Sequence, residues 1–504
     1  MKKPSGAKKA QISQETFDEV VQENVDEFDM TLEEATLDAI AQFESQGVDL
    51  SNIIKSVGAS VAASGAAEDD AGDVLGRLKK LIETLKTESQ EEDVLDALQQ
   101  LSTLCDEVPE MKVVAGRNDA IDPLVNLLAS PANDDVTERV CTLLATLCTD
   151  NTDNQDFVGQ RGVEALAQLL TSSTGKPTTT IARLLMTTRV VCTKHEANKA
   201  HFAKAHGVEA VCEYLSTATQ DETLSKQLAA TLRLLTINDD PKATFSQAQD
   251  TIKLLIAKDL VAYIIDTIKH NNDKPEVLSS WIIVLKQLAI TEDNCKKIFE
   301  LSGLELLFQT MLQHERNLTV VKRCVTVFRN VAAADELKEY IITSGGAAQI
   351  LVAMQTHIAD ASMQQHACAT LAAIALRSPE NSTRLVDLGA PRQLAFAMRK
   401  HSSDTAVLRQ ASLAIRNMVA RAPELRARIL DEDVEELLRE AQKYRGCGDE
   451  AYAALRDLGC DIQLSSFGTG AQPKAQFNPV HVESRKLLDS VDEAAEAPFA
   501  RMYS

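Results

Sequence analysis

The amino-acid sequence predicts an all-α fold built from tandem helical repeats, and two observations lead to this prediction. Gly (20) and Pro (13) are scarce and aromatic residues make up 4%, whereas a strand-rich protein needs more β-branched and aromatic residues. A helix-like apolar segment also recurs about every 43 residues along the 504 residues. A chain of this length forms two or three domains or one extended array, and the recurrence favours the array.

The charge and the cysteine content restrict the function further. The formal net charge is −22, whereas nucleic-acid-binding proteins need a basic surface that displaces counterions, so we expect no nucleic-acid partner. There is no run of eighteen apolar residues, and residues 1–13 lack the apolar core of a secretory signal, so we expect no membrane association. Ten cysteines without close pairing are typical of a reducing compartment, which predicts a cytoplasmic protein with access to the nucleus.

The last apolar helix of each repeat sets the register of the array. The residues at its centre are spaced by 43, 43, 45, 53, 43, 43, 44 and 40 positions, and we call this the ladder position. Each ladder residue lies in a segment such as "LATLC" (144–148) or "IRNMV" (415–419). The ladder residues are Thr103, Thr146, Arg189, Leu234, Gln287, Asn330, Ala373, Asn417 and Asp457.

A second marker recurs in the same register. Segments such as "HGVEAVCEYL" from 206 and "GGAAQILVAM" from 345 begin a helix near a glycine, and a short amphipathic stretch precedes each. We expect each repeat to contain a short first helix, a sharp turn in which the glycine takes positive φ, a second helix, a loop and a third helix. The 53-residue spacing predicts either a lengthened helix or a protruding loop around residues 239–255.

A three-helix repeat of this length, with a short first helix and a glycine junction, resembles the armadillo repeat. The resemblance covers residues 73–464 and implies a right-handed superhelix of about eight to nine units whose neighbours bury a continuous core. Stretches such as "ISQETFDEVVQENVDEF" (12–28) and "IALRSPENS" (374–382) resemble one animal branch of the armadillo family. That resemblance implies an intracellular protein without known catalysis.

The composition outside the repeats predicts the remaining organisation. Residues 10–54 contain twelve acidic residues and no Lys or Arg, and Thr31 and Glu34 form a capping-box pattern. The resulting helices either cap the exposed end of the solenoid or dock in its groove in competition with partners. We expect a disordered basic start (1–12), acidic amphipathic helices (13–55), a flexible linker (56–72), the armadillo solenoid (73–464) and a disordered C-terminal tail (465–504).

The third helix of an armadillo repeat lines the concave groove, and the resemblance implies that an Asn at the ladder position hydrogen-bonds the backbone of an extended peptide. Here Asn330 and Asn417 keep that Asn, with Gln287 and Asp457 as near substitutes. Nuclear-import receptors of the family pair the Asn with a Trp one turn away. The only Trp, Trp281, lies six residues before Gln287, so recognition of that type is disfavoured.

The position before the ladder residue is basic in five of the last six repeats of a strongly acidic protein. We therefore expect a positive stripe that binds acidic-plus-apolar segments, with Arg416 as the strongest candidate. In the alternative interpretation these residues cover helix ends or pair with acids of neighbouring repeats. The predicted peptide-binding residues are Arg233, Lys286, Gln287, Arg329, Asn330, Arg416, Asn417 and Arg456.

The sequence carries no signature of catalysis or of a metal site. Cys141 and Cys368 share one position of the repeat, and such a register predicts buried core thiols. His314, His357 and His401 follow second helices, where a helix-end role is simpler than zinc binding, because neighbouring layers lie about 8–10 Å apart. We expect no catalytic residue, no metal and no cofactor.

These observations predict a non-enzymatic scaffold or adaptor, monomeric, that binds partner proteins through their extended acidic segments. Two alternatives stay open: a cargo carrier related to nuclear transport receptors, and a regulatory subunit of an enzyme complex. The missing Trp–Asn array counts against the first. The lack of phosphate-binding loops and of convergent carboxylates counts against a catalytic or nucleotide-dependent function.

Overall fold

The computed structural model confirms the all-α fold. It describes residues 12, 14–28, 31–50, 53, 70–87, 90–108, 110–173 and 175–460. Within these residues the regular structure consists of 28 α-helices and one short 3₁₀ helix, with no β-strand. The predicted basic start before residue 12, residues 56–69 of the predicted linker and the predicted C-terminal tail lie outside the described residues. The domain boundaries therefore stay predictions.

The described residues divide into two compact units, with the division between residues 247 and 248. The first unit holds the acidic N-terminal helices and the first four third helices. Its helices are α1 (Gln14–Phe28), α2 (Leu32–Ser45), α3 (Asp70–Lys86), α4 (Glu91–Glu107), α5 (Met111–Arg117), α6 (Ile121–Ala129), α7 (Asp134–Cys148), α8 (Thr152–Ser172), α9 (Thr178–Cys192), α10 (Glu196–Lys204), α11 (Gly207–Glu213), α12 (Leu215–Ala218) and α13 (Glu222–Leu235).

The second unit holds the other five third helices. A 3₁₀ turn at Pro423–Leu425 precedes its last three α-helices. The helices are α14 (Ala248–Ala257), α15 (Leu260–His270), α16 (Pro275–Leu288), α17 (Glu292–Glu300), α18 (Gly303–Gln313), α19 (Leu318–Val331), α20 (Asp335–Thr343), α21 (Gly346–Thr356), α22 (Ala361–Ala375), α23 (Pro379–Asp387), α24 (Ala390–Lys400), α25 (Thr405–Val419), α26 (Arg426–Leu430), α27 (Val434–Ala441) and α28 (Gly448–Leu458).

Successive third helices pack side by side, as the repeat period predicts. In the first unit α4 packs on α7, α7 on α9 and α9 on α13. In the second unit the order is α16, α19, α22, α25 and α28. Each third helix buries a broad apolar face, because no repeat can cover that face by itself, and each fully buried large side chain contributes about 1.5–3 kcal/mol. In α19 the buried apolar residues are Val320, Val321, Cys324, Val325, Val327, Phe328 and Val331.

Glycine occurs at the junction between first and second helices for two physical reasons, of which only the positive φ was expected. In "GG" the first glycine, Gly345, takes positive φ (84°), as predicted. In "HG" the positive φ belongs to His206 (59°), so the expectation is wrong for Gly207. Gly207 is needed because a Cβ there would lie 2.5 Å from Cζ of Phe202, closer than packed carbon atoms approach.

The acidic N-terminal helices α1 and α2 form a hairpin with a core of its own. The predicted capping box is present, since the Glu34 backbone N–H donates to Thr31 Oγ1 (3.3 Å) and the Thr31 N–H donates to Glu34 Oε2 (3.1 Å). Beyond the hairpin, Asp49 Oδ2 lies 3.6 Å from Arg117 Nη2 at the end of α5, which joins this segment to the first helix of the second repeat. The buried core consists of Phe17, Val21, Ala35, Ala39, Phe43, Leu50 and Ile53.

A buried asparagine near the start of the first helix holds the end of the preceding third helix. Asn198 Nδ2 donates to Val191 O (3.0 Å) and to Gln155 O (3.1 Å). Such bonds are needed because the last carbonyls of a helix have no intrahelical donor. The same bond joins Asn154 to Leu147 O, Asn294 to Leu288 O and Asn381 to Ile374 O, at 2.7, 2.8 and 3.4 Å.

The residue after that asparagine position bonds a backbone carbonyl just beyond the end of the following third helix. Lys199 Nζ donates to Ile237 O at 2.9 Å, although its side chain is almost fully buried. Each first helix with both contacts therefore connects two consecutive third helices through their backbone. The corresponding bonds elsewhere run from Gln155 Nε2 to Thr193 O (3.1 Å) and from Lys338 Nζ to Leu376 O (3.2 Å).

A loop, and not a longer helix, accommodates the 53-residue spacing. Residues 236–247 follow α13 without regular structure. Asp239 Oδ2 accepts the Lys194 backbone N–H and Asp240 Oδ2 accepts the Glu196 backbone N–H, both at 3.0 Å. Lys199 also pairs with Asp239. The extra residues are thus fastened to the start of α10 by their own carboxylates.

The predicted buried core thiols are confirmed. All ten cysteines are free, eight of them are buried, and Cys212 and Cys460 are half-buried. Burial raises the pKa of Cys141, Cys192 and Cys368 to about 12, because the thiolate would lose its hydration. At neutral pH these thiols are protonated core side chains.

The buried thiols predict a loss of stability at alkaline pH. Their folded-state pKa of about 12 lies above the ordinary value of 9.0, so above pH 9 the unfolded chain binds fewer protons than the folded chain. The free energy of unfolding should therefore fall by about 1.4 kcal/mol per thiol per pH unit from pH 9 upward. We expect urea unfolding to show a shallower decline for C141A/C192A/C368A than for the parent chain. Equal declines would contradict the assignment.

The asparagine contacts predict a second stability effect. N198A leaves the carbonyls of Val191 and Gln155 without their amide donor. We expect the free energy of unfolding to fall by about 1–3 kcal/mol, measured by urea denaturation with circular dichroism. Q220A, a change at an exposed residue of the same unit, is the control and should change it by less than about 0.5 kcal/mol. Equal effects of both changes would exclude the proposed role of Asn198.

Candidate functional site

The candidate site is the surface formed in the second unit by the ladder residues and the residues just before them, here called the third-helix face. It runs over α16, α19, α22, α25 and α28, which pack in that order. The eighth predicted residue, Arg233, is an exposed side chain of α13 in the first unit. The predicted peptide-binding residues on the face are Lys286, Gln287, Arg329, Asn330, Arg416, Asn417 and Arg456.

The two ladder asparagines are bonded to the neighbouring third helix. Asn330 Nδ2 donates to Lys286 O (3.2 Å), and Asn417 Nδ2 donates to Ala372 O (2.9 Å). Both acceptors lie in the last turn of their helix, where carbonyls lack intrahelical donors. The Leu376 N–H, for example, donates to Ala373 O and not to Ala372 O. One amide hydrogen of each Asn therefore stabilises the stack. Asn330 is 7% exposed and Asn417 is half-buried, so the amide oxygen and the second hydrogen are more accessible to a ligand at Asn417.

The basic side chains of the face differ in exposure and pairing. Lys286 is 5% exposed, whereas Arg329 and Arg416 are half-buried and Arg456 is exposed. Arg416 Nε lies 3.4 Å from Asp457 Oδ2, and Arg456 Nε lies 2.8 Å from Asp457 Oδ1. Pairing with an acid of a neighbouring repeat, the predicted alternative, thus occurs at Arg416. The C-terminal end of the positive stripe carries its own carboxylate.

The middle of the face, on α22, is apolar and low. Alanine side chains end at Cβ, whereas the Arg and Asn side chains on α19 and α25 extend several bonds further. Leu413 on α25 is half-buried and occupies the same repeat position as Ala369. We call the set Ala369, Ala372 and Ala373 the alanine step; all three are buried. Between the two cationic positions the face therefore carries short apolar side chains that are at most 9% exposed.

The tryptophan of the second unit belongs to the core. Trp281 is fully buried and packs edge to face on Tyr263, with ring centroids 5.1 Å apart. It therefore does not line the third-helix face. Gln287, the ladder residue of the same helix, is 7% exposed, and its Nε2 has no hydrogen-bond partner within the described residues.

In the first unit two arginines form hydrogen bonds to glutamine side chains of neighbouring third helices. Arg139 Nη1 donates to Gln99 Oε1 (2.9 Å) and Arg189 Nη2 donates to Gln227 Oε1 (2.5 Å), each across to a neighbouring third helix. These two guanidinium groups are used within the stack. Arg233 differs in being exposed on α13.

Sequence reasoning missed the partners of the repeated histidines, because each partner lies 42 or 43 positions away. A ring nitrogen this close to a carbonyl donates its N–H, so these residues connect repeats at the end of the second helix. No group of three His, Cys, Asp or Glu in the described ranges is arranged to hold a metal. The Nε2 atoms of His314, His357 and His401 lie 2.7, 2.8 and 2.8 Å from Asn272 O, Glu315 O and Ile358 O.

The third-helix face therefore combines arginine side chains, ladder amides and short apolar side chains. Within the part of the chain that the structure describes, no helix has both the length and the apolar character needed to cross a bilayer.

Similar proteins are known from several animals. The chain is 36% identical over 472 residues to armadillo repeat-containing protein 6 of Homo sapiens and to that of Pongo abelii, which covers 91% of this chain and 93% of each relative. It is 29% identical over 384 residues to the Drosophila melanogaster homolog, which covers 75% of this chain and 79% of that protein.

Two solved structures share the fold. An engineered protein of a structural genomics consortium aligns with a TM-score of 0.55 at 19% identity, covering 76% of this chain and 99% of its own. A structure described as concerning a phosphorylation switch in the interaction between cadherin and beta-catenin aligns with a TM-score of 0.54 at 16% identity, covering 75% of this chain and 68% of its own. At these identities the likeness shows the fold alone.

Family models cover both the repeats and the N-terminal helices. The model described as ARMC6 matches residues 74–476, and the model of the armadillo repeat-containing protein 6 N-terminal domain matches residues 9–72. With the repeat register, the packed third helices and the relatives, these matches lead to one assignment. The chain belongs to the armadillo repeat-containing protein 6 family and has the armadillo-repeat α-solenoid fold.

Proposed function

We propose that the chain is a non-enzymatic scaffold or adaptor that binds extended, acidic-plus-apolar segments of partner proteins on its third-helix face. The observation that carries the proposal is a repeated Arg–Asn pair, Arg329–Asn330 and Arg416–Asn417, on a chain of net charge −22. A guanidinium group is suited to a carboxylate, and an amide is suited to a peptide unit. Cations at this position run against the overall acidic composition, which supports a function for them.

The distance between the pairs suits an extended peptide. Packed helices lie about 8–10 Å apart, so Arg329 and Arg416, two repeats apart, are separated by roughly 16–20 Å. An extended chain advances about 3.3 Å per residue, so about five or six residues span that distance. The partner segment would therefore carry carboxylates about that far apart.

The alanine step supplies the apolar part of the proposed contact. Each exposed ion pair contributes only about 0.2–1 kcal/mol, so two arginines give weak and salt-sensitive binding. A bulky apolar side chain of the partner, seated over Ala369 and Ala373 beside the half-buried Leu413, would bury mainly its own apolar surface and so add the stabilisation that charge lacks. The proposed segment thus has an apolar residue between two acidic ones.

The related fold of the cadherin–beta-catenin structure supports a protein-binding role by analogy, since that description concerns an interaction between two proteins. A nuclear transport role has less support, because Trp281 lies six residues before the ladder residue Gln287 and is buried against Tyr263. A basic import-signal peptide bound more tightly than an acidic one would favour that alternative.

Charge reversal tests the proposal. R329E/R416E should weaken binding of an acidic-plus-apolar peptide of about fifteen residues by about tenfold or more, because two attractions become repulsions. The probe is a fluorescein-labelled synthetic peptide in which Phe lies midway between Glu residues about six positions apart. Fluorescence anisotropy at low and high salt gives the dissociation constant, and the attraction should decline with salt.

The matched control is R316E/K400E, which makes the same change of net charge at two exposed positions outside the third-helix face. It should change the affinity by less than about threefold, because separated surface charges are screened. Equal losses in both variants, or no loss in either, would refute the proposed binding surface. A thermal melt of each variant shows whether the fold is kept.

We further propose that the N-terminal hairpin caps the solenoid and is not a competitor of the ligand. Its own core and the Asp49–Arg117 contact support this role. Deleting residues 1–60 should lower the unfolding midpoint and leave peptide affinity unchanged. D49A in the full chain should reproduce a smaller part of the effect, about 0.2–1 kcal/mol. Unchanged stability with tighter binding of the acidic peptide would instead identify the hairpin as a competing arm.

A further inference from the structure

The last ladder residue, Asp457, lies between two arginines. Its Oδ2 is 3.4 Å from Arg416 Nε, and its Oδ1 is 2.8 Å from both Arg456 Nε and Arg456 Nη2. The Asp457 side chain is 17% exposed, whereas the side chains of Arg416 and Arg456 are 40% and 54% exposed. The carboxylate is thus held close to the surface between two accessible cations.

The stacking of the helices does not explain an acidic residue at this position. Asn330 and Asn417 each donate to a carbonyl that lacks an intrahelical donor. The corresponding carbonyl here, Arg416 O, already accepts the Ala420 N–H at 2.9 Å. An asparagine at position 457 would therefore have no unpaired carbonyl at the corresponding position of α25 to donate to.

The local helix does not favour the carboxylate either. Asp457 lies in the last turn of α28, where the helix dipole disfavours a negative charge. Arg416 and Arg456 offset this unfavourable charge at the carboxylate, and Arg426 Nε donates to the backbone carbonyl of Asp457 at 2.8 Å. A carboxylate that is held mainly by Arg416 and Arg456 occupies those groups in the way a ligand carboxylate would.

We infer that Asp457 is a built-in competitor that occupies Arg416 and Arg456, ends the peptide-binding stretch of the third-helix face and lowers its affinity for acidic segments. This inference rests on the proposed function. An incoming carboxylate must displace Asp457 from Arg416. The ladder residue of the helix that follows Arg329 is Ala373, which carries no charge. Asp457 thereby sets the selectivity of the C-terminal end of the site.

D457N tests the inference, because it removes the charge and keeps the shape of the side chain. With the fluorescein-labelled peptide that carries Phe between two Glu residues, we expect D457N to bind about two- to fivefold more tightly than the parent chain, the range of one exposed ion pair. The gain should shrink at high salt. D457E, which keeps the charge, should bind like the parent chain, and R416A should cancel the gain of D457N.

The matched control is D449N, which removes the same charge from an exposed position on the same helix. D449N should leave the affinity within about 1.5-fold of the parent, because a charge that contacts neither Arg416 nor Arg456 is largely screened. Equal gains in peptide affinity for D457N and D449N would show that the effect comes from net charge alone, and would overturn the inference.

The remaining outcomes are separable. If the parent chain binds the acidic peptide through Arg329 and Arg416 and D457N binds no tighter, the competitor role is wrong while the proposed function stands. If neither the parent chain nor D457N binds the peptide, the proposed function fails and the inference fails with it. A thermal melt of D457N accompanies both readings, so that a folding defect is not taken for lost binding.

Discussion

The structure depends on satisfying the backbone carbonyls at the end of each third helix. A helix of this length leaves its last carbonyls without donors, and the neighbouring repeat must supply them if those ends are to be buried. Asn198 does so for the helix before it, and Lys199 bonds the backbone carbonyl of Ile237 just beyond the helix after it. Apolar stacking provides most of the free energy, but these directional bonds fix how far one repeat can slide along the next. The ladder asparagines belong to the same system.

The proposed site is built on that system. Because Asn330 and Asn417 each donate one N–H to a neighbouring helix, their amides are held in a fixed orientation before any partner binds. Each fixed amide lies next to an arginine in the chain. A rigid row of this kind costs little conformational entropy on binding, which matters where each charge contributes only a fraction of a kcal/mol.

The repeat architecture could be predicted from the sequence because its signals are local and periodic. A 43-residue period, the capping box at Thr31 and Glu34, and thiols such as Cys141 in repeat register all follow from short segments. The sequence could not predict which side chain meets which backbone group one repeat away. The close approach of Phe202 to Gly207, the carbonyl bound by Asn417 and the pairing of Arg416 with Asp457 all depend on three-dimensional register. The sequence therefore indicated both a positive stripe and its possible pairing with acids of neighbouring repeats, but it could not say that Asp457 pairs with Arg416.

The loop at residues 236–247 sets where the first unit can be separated from the rest of the chain. Lys199 and Glu196 are both nearly fully buried, and the loop supplies Asp239 to the lysine and a backbone N–H to the glutamate. A fragment that stops at the end of α13 would lack Ile237 and Asp239, which contact the Lys199 ammonium, and Gln247, which contacts the Glu196 carboxylate. A fragment that ends at residue 247 keeps them. For limited proteolysis or expression in pieces, the natural edge of this unit is twelve residues beyond the last helical turn.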